Sequence, residues 1–180
     1  MASSRIRGVT QVALGAAILC VSALISVPFA PVPFTLQSYA LFSLLGLLGA
    51  KRGGASLLIY LTLGVIGLPV FSGLGSGLGA LLGPTGGFLF GFLPAPLLCF
   101  LAEKKGSFAL ATAFVLSMLV CYLTGSLWYY LLFAGGEGYP SVLTVTVLPF
   151  LLPDALKLSL SVLTVKRLRG VLHKSQAQSD

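Results

Sequence analysis

Asp154 and Lys157 are the residues best placed to do chemistry, standing three apart in an otherwise apolar run. On a helix that spacing puts both on one face. Lys157 precedes Lys166, the first residue of the basic tail, by nine positions, about 14 Å at helical rise. Both charges therefore lie within an apolar layer, where each costs about 2.5–3.5 kcal/mol on insertion scales. They are expected to face inward and to pair. A neutral pair that only pins helices together is the bland alternative, but apolar packing could replace it at no loss. The pair is therefore read as part of a binding site. Pro153 directly before it, with Pro149 a turn earlier, frees backbone carbonyls that a polar ligand could meet.

Other chemistry is sparse. Ser72-Gly73-Leu74-Gly75-Ser76-Gly77-Leu78-Gly79 and Gly83-Pro84-Thr85-Gly86-Gly87 are rich in glycine. No lysine follows to make a phosphate loop, and the dinucleotide fingerprint is matched only loosely, without its strand or its acid. Glycines such as Gly73 and Gly79 instead leave N–H groups bare for close approach to a small ligand. Ala13 and Ala17 form a small-x-x-x-small face of the kind that lets two membrane helices approach closely. His173 is the single histidine and falls in the polar tail; Cys20, Cys99 and Cys121 fall in apolar runs and read as packing residues. With no Ser-His-Asp set, no H-E-x-x-H and no nucleotide motif, neither an enzyme nor a metal or organic cofactor is expected.

These residues must be positioned by membrane helices. The chain is 57% hydrophobic and 8% charged, with a mean hydropathy of +1.02, against roughly 25% charged in soluble domains. That excludes a soluble enzyme, a nucleic-acid-binding domain and a disordered tail. The expected architecture is all-α and polytopic: one membrane domain over residues 1–180 with six transmembrane helices. The spans run approximately over 9–27, 34–50, 55–71, 88–102, 108–134 and 142–165, with a glycine-rich external loop between the third and fourth. The first run could pass for a cleavable signal, but Leu19 before Cys20 is not the small residue a lipoprotein site needs, so it is read as a retained span. Apart from Lys157, every Lys and Arg falls before the first span or after the second, fourth and last. By the positive-inside rule those ends are cytoplasmic, as are both termini. Pro28, Pro31 and Pro33 make an external turn that no helix can continue.

Four segments together resemble a known family. Pro31-Val32-Pro33-Phe34-Thr35-Leu36-Gln37 is similar to the start of the second span in the BioY family, the biotin-binding S components of energy-coupling-factor (ECF) transporters. Tyr60-Leu61-Thr62-Leu63-Gly64-Val65-Ile66-Gly67-Leu68-Pro69-Val70-Phe71 with its glycine loop resembles the same family. So do Gly83-Pro84-Thr85-Gly86-Gly87-Phe88 and the closing Asp154 to Lys157. The family commonly has a glycine between the proline and the acid of that last motif, whereas here Pro153 abuts Asp154.

The resemblance implies high-affinity biotin capture and uptake by a multi-pass protein of a bacterial cytoplasmic membrane. Its implied partners are a transmembrane coupling protein and two cytoplasmic ATPases, besides membrane lipid; nucleic acid is not among them. Asp154 and Lys157 match the family's ligand-contacting acid and lysine, and Ala13 and Ala17 match the helix face that meets the coupling protein. Phe34 and Phe71 are expected to cover the apolar parts of the ligand, with Gln37, Ser76 and Thr85 as polar groups near the mouth. Which of Asp154 and Lys157 meets the ureido ring is open at this stage. The alternatives are an S component for another small vitamin, or a small proton-linked carrier or channel in which Asp154 titrates.

Overall fold

The structure is a computed structural model that describes residues 2–29 and 31–177. The first helix, α1 (Ala2–Leu24), turns Ala16, Leu19 and Ala23 into the bundle. It ends three residues before the expected limit of its span. Ser26–Val27 (β1) is already extended and pairs antiparallel with Phe34–Thr35 (β2), Ser26 opposite Thr35 and Val27 opposite Phe34. Proline is the cause: Pro28, Pro31 and Pro33 cannot continue a helix, and each biases the residue before it to extended backbone.

Residues 37–65 form α2 (Gln37–Val65), helical throughout except at Gly49, whose φ of 81° and ψ of 162° break it. Gly53 packs against the backbone of Leu45. Eight residues along a straight helix would be about 12 Å apart, so the chain doubles back into two arms, 37–48 and 50–65. The expected turn at Lys51-Arg52-Gly53-Gly54 is helical instead, and the reversal falls at Gly49. There a positive φ favours glycine, and a Cβ would also run into the Glu103 carboxylate.

A 3-10 turn at Ser72–Leu74 and a short helix α3 (Gly77–Leu82) give the glycine-rich segment local structure. The expected span over 88–102 is two helices, α4 (Gly86–Gly91) and α5 (Ala95–Ala102), the second opening behind Pro94. Helix α6 (Ser107–Phe133) matches its expected span within a residue. The last expected span is divided at Val147 into α7 (Tyr139–Thr146) and α8 (Leu148–Ala177), the latter with Pro153 inside it and running on through the basic tail.

Two packing relations position the site. Helix α4 lies close on α6 because glycines remove the side chains between them. Gly87 abuts Trp128, Gly91 abuts Thr124 and the backbone of Cys121, and Gly125 abuts the Phe88 ring. The Trp128 Nε1–H donates to the Gly83 carbonyl at 3.0 Å and ties down the chain entering α4. Arm 37–48 and α8 run parallel, joined by a series of polar contacts. Lys157 Nζ donates to the Thr35 carbonyl, Ser161 Oγ to the Tyr39 carbonyl at 3.2 Å, and Arg169 to the Gly46 carbonyl; the Tyr39 and Thr164 hydroxyls are 3.0 Å apart.

Among the described residues, three unbroken helices are long and apolar enough to cross a membrane, Arg5–Leu24, Ser107–Phe133 and Leu148–Gly170; Gln37–Val65 is as apolar but is broken at Gly49. Tyr60, Phe42 and Phe114 fill the core, while Leu119, Leu123, Leu131, Leu152 and Leu156 point outward. So much outward leucine is the surface of a protein solvated by lipid.

Candidate functional site

Asp154 and Lys157 are 5% and 7% exposed, on the inward face of α8 just after Pro153. Lys157 Nζ is 2.8 Å from Asp154 Oδ1. It also donates to the Thr35 carbonyl at 2.6 Å and stands 3.7 Å above the centre of the Phe34 ring. That carbonyl is within reach because β2 holds residues 34–35 extended at the mouth of arm 37–48. Asp154 accepts two further bonds, from Tyr122 OH to Oδ2 at 2.7 Å and from Ser38 Oγ to Oδ1 at 3.3 Å. A carboxylate with three donors, one of them a cation, and an ammonium with an anion, a carbonyl and a π-face meet the conditions for burying an ion pair.

The pair forms one wall of an open-mouthed cavity, the concave, partly apolar kind of site that small ligands occupy. The buried floor consists of Gln37, Ser38, Met118, Cys121, Tyr122, Asp154 and Lys157; Pro33, Ser72 and Thr85 form a half-buried rim. Phe88, Phe92 and Phe150 supply flat apolar walls. Gln37 also lines the cavity and is 5% exposed; its Nε2 makes no hydrogen bond of good geometry, and the equally unpartnered Tyr60 hydroxyl lies beside it.

Of the residues singled out in the sequence, Asp154, Lys157, Gln37 and Thr85 come together on this cavity, with Phe34 behind the ammonium. Gly73, Ser76 and Gly79 do not line it. The 3-10 turn and α3 carry them past the rim, and Ser72 is the residue of that segment that reaches it. Phe71 is buried in the core instead, against Gly64 and edge-on to Tyr60 at 5.5 Å. Ala13 and Ala17 face outward on α1, opposite Ala16 and Leu19, on a surface open to a neighbour.

Sequence reasoning missed Tyr122, Ser38 and the aromatic walls. Tyr122 had one readable signal, a hydroxyl in the middle of an apolar span that requires a polar partner. Phe88 had only its place at the end of the Gly83–Phe88 motif, and Phe92 and Phe150 had none, since lipid-facing and cavity-facing phenylalanines look alike in an apolar run.

The fold and the cavity together define an integral membrane protein of the small-ligand-binding class, with a neutralised ion pair at the base of a largely apolar cleft. Comparison with known proteins makes this specific. Residues 1–174 match the BioY family, and the chain belongs to it. A relative from Pyrococcus horikoshii, a probable biotin transporter BioY, is 39% identical over 163 residues, covering 90% of this chain and 96% of its own. The biotin transporter BioY of Thermotoga maritima is 40% identical over 156 residues, covering 85% and 90%. Among solved structures, the S-component for biotin from an ECF-type ABC transporter superposes with a TM-score of 0.82 at 28% identity, covering 94% of each chain. The chain thus has the fold of a transporter component and is a multi-pass membrane protein.

Proposed function

We propose that this protein captures biotin with high affinity and serves its uptake as the substrate-specific component of an ECF-type transporter. The observation that carries the reading is the Asp154–Lys157 pair at the base of a cleft walled by Phe88, Phe92 and Phe150. A ureido ring has an N–H donor for the one lone pair of Asp154 that its three donors leave free and a carbonyl for Lys157 or Gln37. The thioether ring and aliphatic chain suit the aromatic walls. A cleft built on such hydrogen bonds rejects analogues that lack them.

The two arms of α2, the α4–α5 pair and α7–α8 complete six crossings of a bacterial cytoplasmic membrane. The basic ends, both termini included, are then cytoplasmic, and the glycine-rich segment covers the outer end. Ala13 and Ala17 face a transmembrane coupling protein. ATP is hydrolysed by partner ATPases, this chain carrying no nucleotide motif and needing no cofactor of its own.

The test is calorimetric titration of biotin into the purified protein in detergent, beside Lys157→Met. One-to-one saturable binding that the variant loses supports the reading; a folded parent that takes up no biotin overturns it. Uptake by vesicles that follows a proton gradient and ignores the ATPases would point to a proton-linked carrier instead.

A further inference from the structure

The charges of this protein are unevenly placed, and that bears on how much of the ligand the cleft can read. Among the described residues lining the cavity, Asp154 and Lys157 are the only charged ones. They neutralise each other at 2.8 Å. Two of the three ammonium protons are engaged, by Asp154 and by the Thr35 carbonyl. All other lining polar groups are neutral: Thr35, Gln37, Ser38, Ser72, Thr85, Cys121, Tyr122 and Thr146. The remaining Lys and Arg residues of the sequence follow spans at their basic ends or precede the first, none between Thr85 and Glu103 or between Ser107 and Leu156. Biotin carries a carboxylate at the end of its chain. An anion drawn down to the pair would meet the Asp154 charge as well as that of Lys157, and a buried carboxylate without its own cation is strongly disfavoured. The half-buried rim of Pro33, Ser72 and Thr85 is where such a group can keep its water.

We infer, resting on the biotin reading above, that the cleft recognises the ureido end and does not read the charge of the tail, so that neutral-tailed biotin amides are ligands alongside the free acid. Two hydroxyls at the rim, Ser72 and Thr85, can each donate to a carboxylate or accept from a carboxamide, so either tail is matched equally well. Specificity then resides at the base, where Asp154, Lys157 and Tyr122 meet on the cavity that Gln37 also lines.

The experiment is competition binding to the protein in detergent, with biotin, its near-isosteric primary carboxamide and 2-iminobiotin, which replaces the ureido oxygen by an imino group and is cationic at neutral pH. The expected result is a carboxamide affinity close to that of biotin, with 2-iminobiotin weaker by about tenfold or more, because it lacks the carbonyl acceptor and sets a cation beside Lys157. A carboxamide weaker than biotin by that same factor, with biotin still tightly bound, overturns this inference and leaves the biotin reading standing. A folded protein that binds none of the three overturns the biotin reading itself.

Discussion

The two ends of the arm 37–48/α8 pair use the same contact for different purposes. At one end Lys157 donates to the Thr35 carbonyl, and at the other Arg169 donates to the Gly46 carbonyl, each cation reaching from α8 to the backbone of α2. Lys157 is buried and carries a carboxylate, a π-face and two hydroxyl-bearing neighbours with it. Arg169 is part of the basic end, has no carboxylate within 4.0 Å among the described residues, and bonds a carbonyl just before the break at Gly49. A carbonyl there lacks its full helical partner, so a cation satisfies it and meets the negative end of the helix dipole. The difference teaches where this protein concentrates cost: a charge at the edge needs only a carbonyl, whereas a charge in the layer needs a complete shell. A shell so assembled is preformed for a polar ligand.

Breaking the buried end should have the largest effect. Lys157→Met leaves Asp154 unpaired and should lower stability by about 3–5 kcal/mol, besides abolishing biotin binding. Combining it with Asp154→Leu should restore thermal unfolding in detergent toward the parent while binding stays lost, because an apolar pair can replace the ions in packing but not in recognition. Next comes Tyr122→Phe, which removes one hydrogen bond to a charged group, worth about 1.5–3 kcal/mol. Titration should show biotin affinity weakened by roughly one to two orders of magnitude, with helical circular dichroism unchanged.

The half-buried basic end should respond less. Arg169→Met is expected to cost about 0.3–1 kcal/mol of stability and to leave biotin affinity as it was. A loss of affinity there would mean that the two ends are coupled through the helix pair, and the contrast drawn above would fail. The smallest effects belong to the rim: Thr85→Ala should weaken binding by a few-fold at most, the worth of one neutral hydrogen bond of about 0.5–1.5 kcal/mol. Ser76→Ala, off the cavity, should leave affinity unchanged by the same titration.

The base of the cleft was legible because charge in an apolar run is costly wherever the run packs, so Asp154 and Lys157 announce an inward, paired arrangement before any fold is known. Gln37 and Thr85 were marked by polarity close to a motif. Ser76 shares that marking, and Gly73 and Gly79 were marked by bare N–H groups, yet the turn at Ser72–Leu74 brings only Ser72 to the rim, and which residue of a tight turn points inward depends on backbone angles. The helices follow the same division. Span α6 was readable to within a residue because nothing interrupts it. The turn expected at Lys51–Gly54 fell at Gly49 instead, since several glycines were available and it is Gly49, against Glu103, that takes the positive φ.

The sequence by itself determined a lipid-solvated helical chain, an inward ion pair and a separation of basic ends from ends without Lys or Arg, because transfer of charge into hydrocarbon is a cost each residue bears locally. Tertiary structure alone decided what surrounds the pair. Tyr122 from α6, Ser38 from α2 and Phe88 from α4 lie far from Asp154 in the chain, and meet at one cleft because Gly87, Gly91 and Gly125 let α4 settle onto α6. Close packing depends on shape shared between helices, and no single segment carries it.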